Sequence, residues 1–395
     1  MLKTLSNIKM TVICGFITIL VLRGTIGIHL VSFSGGDAAA EGKVFDDIER
    51  VLREIRSDTE PDDEDDQLVV VDSTTTMHVE ETTKNYTLGP RITHWDAQRK
   101  QWLSRNPGLP CRDALGKPKI LLVTGSPPGP CHNPAGDHYL LKSTKNKIDY
   151  CRIHGIELVQ SMALLDRELT EYWSKFALLR RLMLSHPEVE WVWWMDNDAL
   201  FTDMAFQLPL ARYESSNLVI HGYDDLLWKQ RSWIALNAGI FLLRNCQWSM
   251  ELLDEWVLMG PKGHVREEAG KKGRWMDKVY VEDKYYLHGY WAGLVDRYEE
   301  MMEKHHPGLG DHRWPFITHF VGCKPCGRYG DYPVEQCLRG MERAFNFADN
   351  QVLRLYGFRH RSLESPKVKP VANRTTASPL LAKEAALHMD AKFDT

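Results

Sequence analysis

The chain has 395 residues, 43% hydrophobic and 26% charged, with a formal net charge of -4. That make-up is of an ordinary globular protein with room for one large domain or two, and its charge gives no support for nucleic-acid binding, which wants a basic stripe. The informative features are local, and no internal repeat is visible.

Residues 10–33 read "MTVICGFITILVLRGTIGIHLVSF", long enough to cross a bilayer, which takes roughly 20 apolar residues. Arg23 and His29 interrupt the stretch towards its far end, where a long cationic side chain can snorkel to the headgroups. Lys3 and Lys9 precede it, favouring residues 1–9 as a cytoplasmic tail. No convincing small-residue cleavage site follows, so an uncleaved signal-anchor is expected over a removed signal peptide. Residues 34–90 are expected to form a stem. There Phe45, Ile48, Leu52 and Ile55 keep a/d spacing for two heptads, enough for a frayed helix or a weak self-association contact, before an acidic and Thr-rich linker.

A lumenal bulk agrees with the sequons at Asn85 and Asn373, candidate glycosylation sites. Of the eight cysteines, Cys14 lies inside the span, and an odd remainder predicts disulfides plus at least one unpaired thiol.

Residues 91–360 carry the folded domain. "KILLVTG" (119–125), "IELVQ" (156–160) and "EWVWWM" (190–195) read as strands. The helix after the first strand is expected to bury Leu140, Leu141, Thr144, Ile148 and Cys151 and to stop at Gly155. The next, "EYWSKFALLRRLMLSH", is expected to bury Trp173, Phe176, Leu179, Leu182 and Met183. "NLVIHG", "AGIFLLRN" and the helix "QWSMELLDEWVL" continue the alternation, so the fold class is α/β with a mostly parallel central sheet. From Arg361 to the end a loose tail is expected.

Directly after the tryptophan-rich strand come Asp196 and Asp198, two residues apart and therefore on one side if strand geometry persists. Open α/β sheets deliver ligand groups at the carboxyl ends of their strands. Two carboxylates there can share Mn2+ or Mg2+ and leave positions for phosphate oxygens, so that the metal assists a departing diphosphate. The bare motif is weak, since Asp63-Glu64-Asp65 matches it too. A strand-end pair that merely caps a turn is the bland alternative.

"THFVGCKPC" (318–326) would supply the missing ligands: His319 for the metal and Lys324 for phosphate charge. Taken alone, such a histidine is more often a satisfied interior one than a ligand. Cys323 and Cys326 fit disulfides, to Cys337 or a more distant cysteine, better than zinc. Trp228, Trp233, Tyr286, Tyr290, Trp291 and Trp314 suit either a saccharide groove or the core.

"WWMDNDALFTDM", "SWIALNAGIFLLRNCQWS", "YYLHGYW", "HPGLGDHRWPFITHFVGCKPCG" and "DYPVEQCLRGMERAFNFADNQVL" closely resemble the plant xyloglucan 6-xylosyltransferases of glycosyltransferase family 34. That family also holds galactomannan galactosyltransferases. The resemblance covers residues 89–373 and "VLRGTIG" of the anchor. It implies a single-pass type II Golgi membrane protein with a lumenal GT-A domain. The implied reaction is retaining transfer of α-xylose from UDP-xylose to O6 of glucose in a β-1,4-glucan. By this resemblance the family's Asp-Ser-Asp metal motif falls on Asp196-Asn197-Asp198, its metal histidine on His319 and its phosphate-contacting lysine on Lys324. Its sugar-lining "LNTG" falls on Leu236–Gly239, with Asn237 and Gly239 kept and Ala238 in place of threonine. Gly125 and Ser126 correspond to the nucleotide-facing turn.

One departure is serious. After "REEAGK" the family continues for roughly thirty residues, with an Asp-Asp-Gln motif that orients the acceptor or steadies the oxocarbenium-like centre. Here Lys271-Lys272 passes straight to Gly273-Arg274-Trp275, and Glu267, Glu268 and Asp277 read as surface charges rather than substitutes. The catalytic residue is therefore left open. Three readings follow: an active xylosyltransferase, a galactomannan α-1,6-galactosyltransferase, and a weakly active or inactive member that partners related transferases in a homo- or hetero-oligomer.

Overall fold

A computed structural model describes residues 86–371 apart from 127, 164–168, 170–172, 231–234, 261–274, 285 and 327–329. The expected anchor, the stem up to Asn85, Trp233, the 270–273 junction and the sequon at Asn373 lie outside the described residues. Among the described residues, no helix is long and apolar enough to cross a membrane.

In chain order, α1 (Trp95–Arg105) precedes β1 (Ile120–Gly125), α2 (Pro134–His154), β2 (Glu157–Ser161), α3 (Ser174–Ser185) and β3 (Trp191–Met195). Then come β4 (Ala199–Phe201), β5 (Leu218–Gly222), β6 (Leu236–Arg244), α4 (Gln247–Val257) and β7 (Val279–Glu282). Beyond them lie α5 (Tyr298–Lys304), β8 (Ile317–His319), α6 (Val334–Leu353), β9 (Phe358–His360) and β10 (Val368–Pro370). The hairpin of β9 and β10 thus carries regular structure past Arg361 to Pro370.

The central sheet has the order β2-β1-β3-β6-β5-β7. Its pairings are parallel except those of β6, which runs antiparallel to both β3 and β5. The βαβαβ start is as expected, while the simple alternation stops at β6. Between β5 and β6 the described chain carries only the short π-helix Asp225–Gln230, too little for a crossover helix, so β6 returns antiparallel.

Every residue of β3 is buried because both faces of the sheet are covered. Val192 and Trp194 pack with Phe176, Leu179 and Met183 of α3 and with Met250 and Leu253 of α4. Trp191, Trp193 and Met195 alternate to the other face, against Tyr150, Phe201, Phe316 and Ala348. Trp291 and Trp314 are also core, the latter stacked on Phe347 at 4.6 Å, and so do not line a groove.

α2 begins on Asn133, whose side chain accepts from the Gly136 amide, and ends at Gly155 with φ 64°. Its buried face differs from the expected one. Leu141 and Ile148 are 67% and 49% exposed, and the buried side chains include Tyr139, Ser143, Asn146, Lys147, Tyr150 and Cys151. The reason is what the helix meets: the backbone after β3, whose carbonyls demand donors. Ser143 Oγ donates to Asn197 O at 2.6 Å, Lys147 Nζ to Ala199 O at 2.8 Å and Asn146 Nδ2 to Phe201 O at 2.9 Å.

Disulfides join Cys131 to Cys326 and Cys323 to Cys337, leaving Cys111, Cys151 and Cys246 unbonded among the described residues.

Candidate functional site

Asp196 follows β3 at the carboxyl end of the sheet, and the chain turns at once into β4. That short strand pairs antiparallel with β8 in a register that sets Ala199 opposite His319. The amide of Phe320 donates to Asp198 O at 2.9 Å, locking the two segments together. Residues more than a hundred positions apart in sequence thus share one corner. The ligand atoms of Asp196, Asp198 and His319 all lie within 4.8 Å of one another.

The Asp196 side chain is held from behind. Trp194 Nε1 donates to Asp196 Oδ1 at 2.5 Å, and Lys175 Nζ approaches the same oxygen at 3.0 Å. Lys175 is 3% exposed, donates to Ala238 O at 3.3 Å and lies 4.8 Å from the Trp194 ring centroid. Burial pushes the Asp196 carboxyl above the usual carboxylate range, Lys175 opposes the shift and Asp198 adds to it. His319 is fully buried; its Nε2 faces Asp198 Oδ1 at 3.3 Å, and neither atom makes a hydrogen bond. Two buried polar atoms turned towards each other without one fit a shared cation better than a satisfied interior histidine.

The expected sugar-lining segment adjoins the acids. Asp196 N donates to Gly239 O at 2.8 Å, and Asn237 Oδ1 accepts from the Gly239 amide at 2.8 Å. A Cβ on Gly239 would sit 2.3 Å from His319 Cε1, so glycine is required for the imidazole to reach its place. Asn197 contributes its backbone carbonyl to Ser143 and to the Tyr139 hydroxyl, the latter at 3.2 Å.

Gly125 ends β1 against Trp194, whose ring edge would be 3.3 Å from an added Cβ. The Ser126 amide donates to Ser161 O at 3.0 Å, and its buried hydroxyl has no hydrogen-bond partner. Lys324 lies on the loop after β8, between the two disulfide-bonded cysteines Cys323 and Cys326. That loop is stitched to the start of α2: Asn133 Nδ2 donates to Pro325 O at 2.9 Å, His132 N to Cys326 O at 3.1 Å, and Gly136 leaves no room for a side chain against Pro325 O. The chain after β1 and the chain after β8 therefore form one rim.

Three neighbours of this corner were not singled out in the sequence, although His288 lies within the run YYLHGYW. Lys175 reads as the polar face of an amphipathic helix. Lys147, fully buried beneath the acids, reads as a surface lysine; burial lowers it to about 7, with Asp198 and Asp196 opposing. His288, 3% exposed, places its Nδ1 3.1 Å from His319 Nδ1.

Residues 116–330 match the model of the galactosyl transferase GMA12/MNN10 family. The chain is 66% identical to "Probable glycosyltransferase 3" of Oryza sativa subsp. indica, over 100% of this chain and 96% of the relative. It is 61% identical to "Probable xyloglucan 6-xylosyltransferase 3" of Arabidopsis thaliana (95% of this chain, 85% of the relative). It is 51% identical to "Xyloglucan 6-xylosyltransferase 1" of the same plant (95% and 91%). A solved glycosyltransferase involved in glycosylation of the PBCV-1 major capsid aligns at 15% identity and a TM-score of 0.38, over 57% of this chain and 99% of that one, a likeness too loose to argue from. The identities and coverage suffice without it: the chain belongs to the galactosyl transferase GMA12/MNN10 family, glycosyltransferase family 34, and is a transferase.

Proposed function

We propose that the chain transfers α-xylose from UDP-xylose to O6 of glucose in a β-1,4-glucan, with retention, using a GT-A fold and a divalent cation. The observation that carries this reading is the convergence of Asp196, Asp198 and His319, in a chain 61% identical to a relative named a xyloglucan 6-xylosyltransferase. Two carboxylates and an imidazole suit manganese somewhat better than magnesium, which prefers oxygen alone. When bound, the cation would act as a Lewis acid on the diphosphate.

The protein's own part is electrostatic. Trp194 and Lys175 both contact Asp196 Oδ1 and hold that carboxylate beside the site. Two carboxylates less one ammonium leave a single net negative charge, which a dication turns into a single net positive one. That is the sign a departing diphosphate needs. Asn237 and Gly239 would line the sugar, Gly125 and Ser126 the nucleotide, and Lys324 would offset phosphate charge.

The reading includes a type II anchor at residues 10–33 and a lumenal domain in the Golgi. It is supported by the apolar run itself and by the two disulfides, which belong to an oxidising compartment. A second reading has its own motive. The alignment to the rice relative spans 444 positions against 395 residues here, so some positions of that relative have no counterpart in this chain. A chain without the Asp-Asp-Gln segment would bind UDP and metal yet transfer poorly, acting as a partner of active transferases.

Incubating the purified chain with cellohexaose or mannohexaose and with UDP-xylose or UDP-galactose decides the matter. The xylosyltransferase reading predicts xylose on cellohexaose and nothing on mannohexaose. Galactose on mannohexaose would replace it with the galactosyltransferase, and manganese-dependent UDP binding without transfer would favour the non-catalytic partner.

A further inference from the structure

We infer that His288 is a positioning residue that fixes the tautomer of His319 and so keeps His319 Nε2 available to a cation; the inference rests on the metal reading above. Two imidazole nitrogens face each other at 3.1 Å, His288 Nδ1 and His319 Nδ1. At that distance one carries the hydrogen and the other accepts it. A neutral His319 that offers its Nε2 lone pair must carry its hydrogen on Nδ1. His288 then accepts through Nδ1 and carries its own hydrogen on Nε2. The opposite arrangement, with His288 donating, would put the His319 hydrogen on Nε2, on the side where Asp198 Oδ1 lies 3.3 Å away, and take from the cation the lone pair it needs.

The backbone holds the pair in place. The His319 amide donates to Gly289 O at 2.8 Å, and Tyr290 bridges to His319 in a parallel pairing. A Cβ on Gly289 would stand 2.6 Å from Ile317 O, so only glycine lets this segment lie against β8 and bring His288 within reach. On its far side His288 packs against the buried His221 ring at 4.7 Å between centroids. A wall of buried rings thus runs from β5 to the candidate metal corner. Outer partners of this kind orient ligating histidines in metal sites generally.

The test uses the full chain in detergent, titrated with Mn2+ alone and read by the electron paramagnetic resonance of free aqueous Mn2+. Three variants discriminate the role: His288→Asn, whose amide oxygen can stand where Nδ1 does; His288→Gln, whose oxygen reaches further; and His288→Leu, which accepts nothing. The expected result is wild-type-like affinity in the Asn variant and a loss of about 10–100-fold in the Gln and Leu variants. Equal affinity in all three, or an Asn variant as weak as Leu, overturns the role of His288. If Leu does not fold, the Asn–Gln contrast still decides. A wild-type chain that binds no Mn2+ overturns the metal reading itself, a different failure.

Discussion

At Gly239 a single hydrogen atom in place of a side chain decides where an imidazole can sit. Gly239→Ala would drive a methyl group into the His319 ring. We expect the fold to survive, with a cost of about 1–3 kcal/mol for overpacking, while Mn2+ affinity falls at least tenfold. Isothermal titration beside urea denaturation separates the two effects. Lys175 makes a prediction of opposite sign. Lys175→Met removes the ammonium 3.0 Å from Asp196 and leaves the site more negative. Mn2+ alone should then bind about tenfold tighter, while UDP with Mn2+ binds more weakly, because the loaded site has lost positive charge. If both affinities fall together, Lys175 acts by holding geometry rather than by charge.

Lys147 predicts a pH dependence. Its folded pKa is lowered to about 7 from 10.5, so between those values the unfolded chain binds a proton that the folded chain does not. Its contribution to stability therefore rises as pH rises through that window and is lost as pH falls through about 7. Lys147→Met should flatten the pH profile of metal-free stability between pH 7 and 10, measured by chemical denaturation. An unchanged slope would show that this group does not titrate there.

Among the elements, α2 shows where periodicity misleads. Its leucines promised a hydrophobic face, but the surface it covers is the polar backbone after β3, so Ser143, Asn146 and Lys147 turn inward and Leu141 turns out. Apolar spacing identifies a buried face only when the partner is apolar too. The strands were legible because β3 is apolar on both sides, and Asp196 and Asp198 stood out against it. His319 was legible through a local motif. The parts of Lys175 and His288 were not, since each depends on a tertiary contact that leaves no mark in spacing; the bond from Trp194 reaches only two residues along the chain, but it depends on how the backbone turns after β3. The same holds for the rim joining β1 to β8. Opening the Cys131–Cys326 link with Cys131→Ser and Cys326→Ser together should cost about 2–5 kcal/mol of stability and weaken UDP binding through Lys324. Thermal denaturation and UDP titration check the two parts.

Across the whole molecule, the proposed function turns on one long-range registration: the β4–β8 pairing that carries His319 back to the acids at the end of β3. On the proposed reading a glucan acceptor needs a further surface, and we propose that the family's Asp-Asp-Gln segment, which would help to form it, is lacking here. Restoring it should raise transfer to cellohexaose while leaving Mn2+-dependent UDP binding where it was, because the metal corner is built without it. A restored chain that transfers no faster would show that acceptor binding is met elsewhere.

The most direct measurement of the central claim is titration of UDP into the full chain with Mn2+, with excess chelator, and with Mn2+ in Asp198→Ala and His319→Ala. The account predicts that chelation and either substitution each weaken UDP binding at least tenfold while the fold persists. UDP binding of equal strength in all four cases would contradict it.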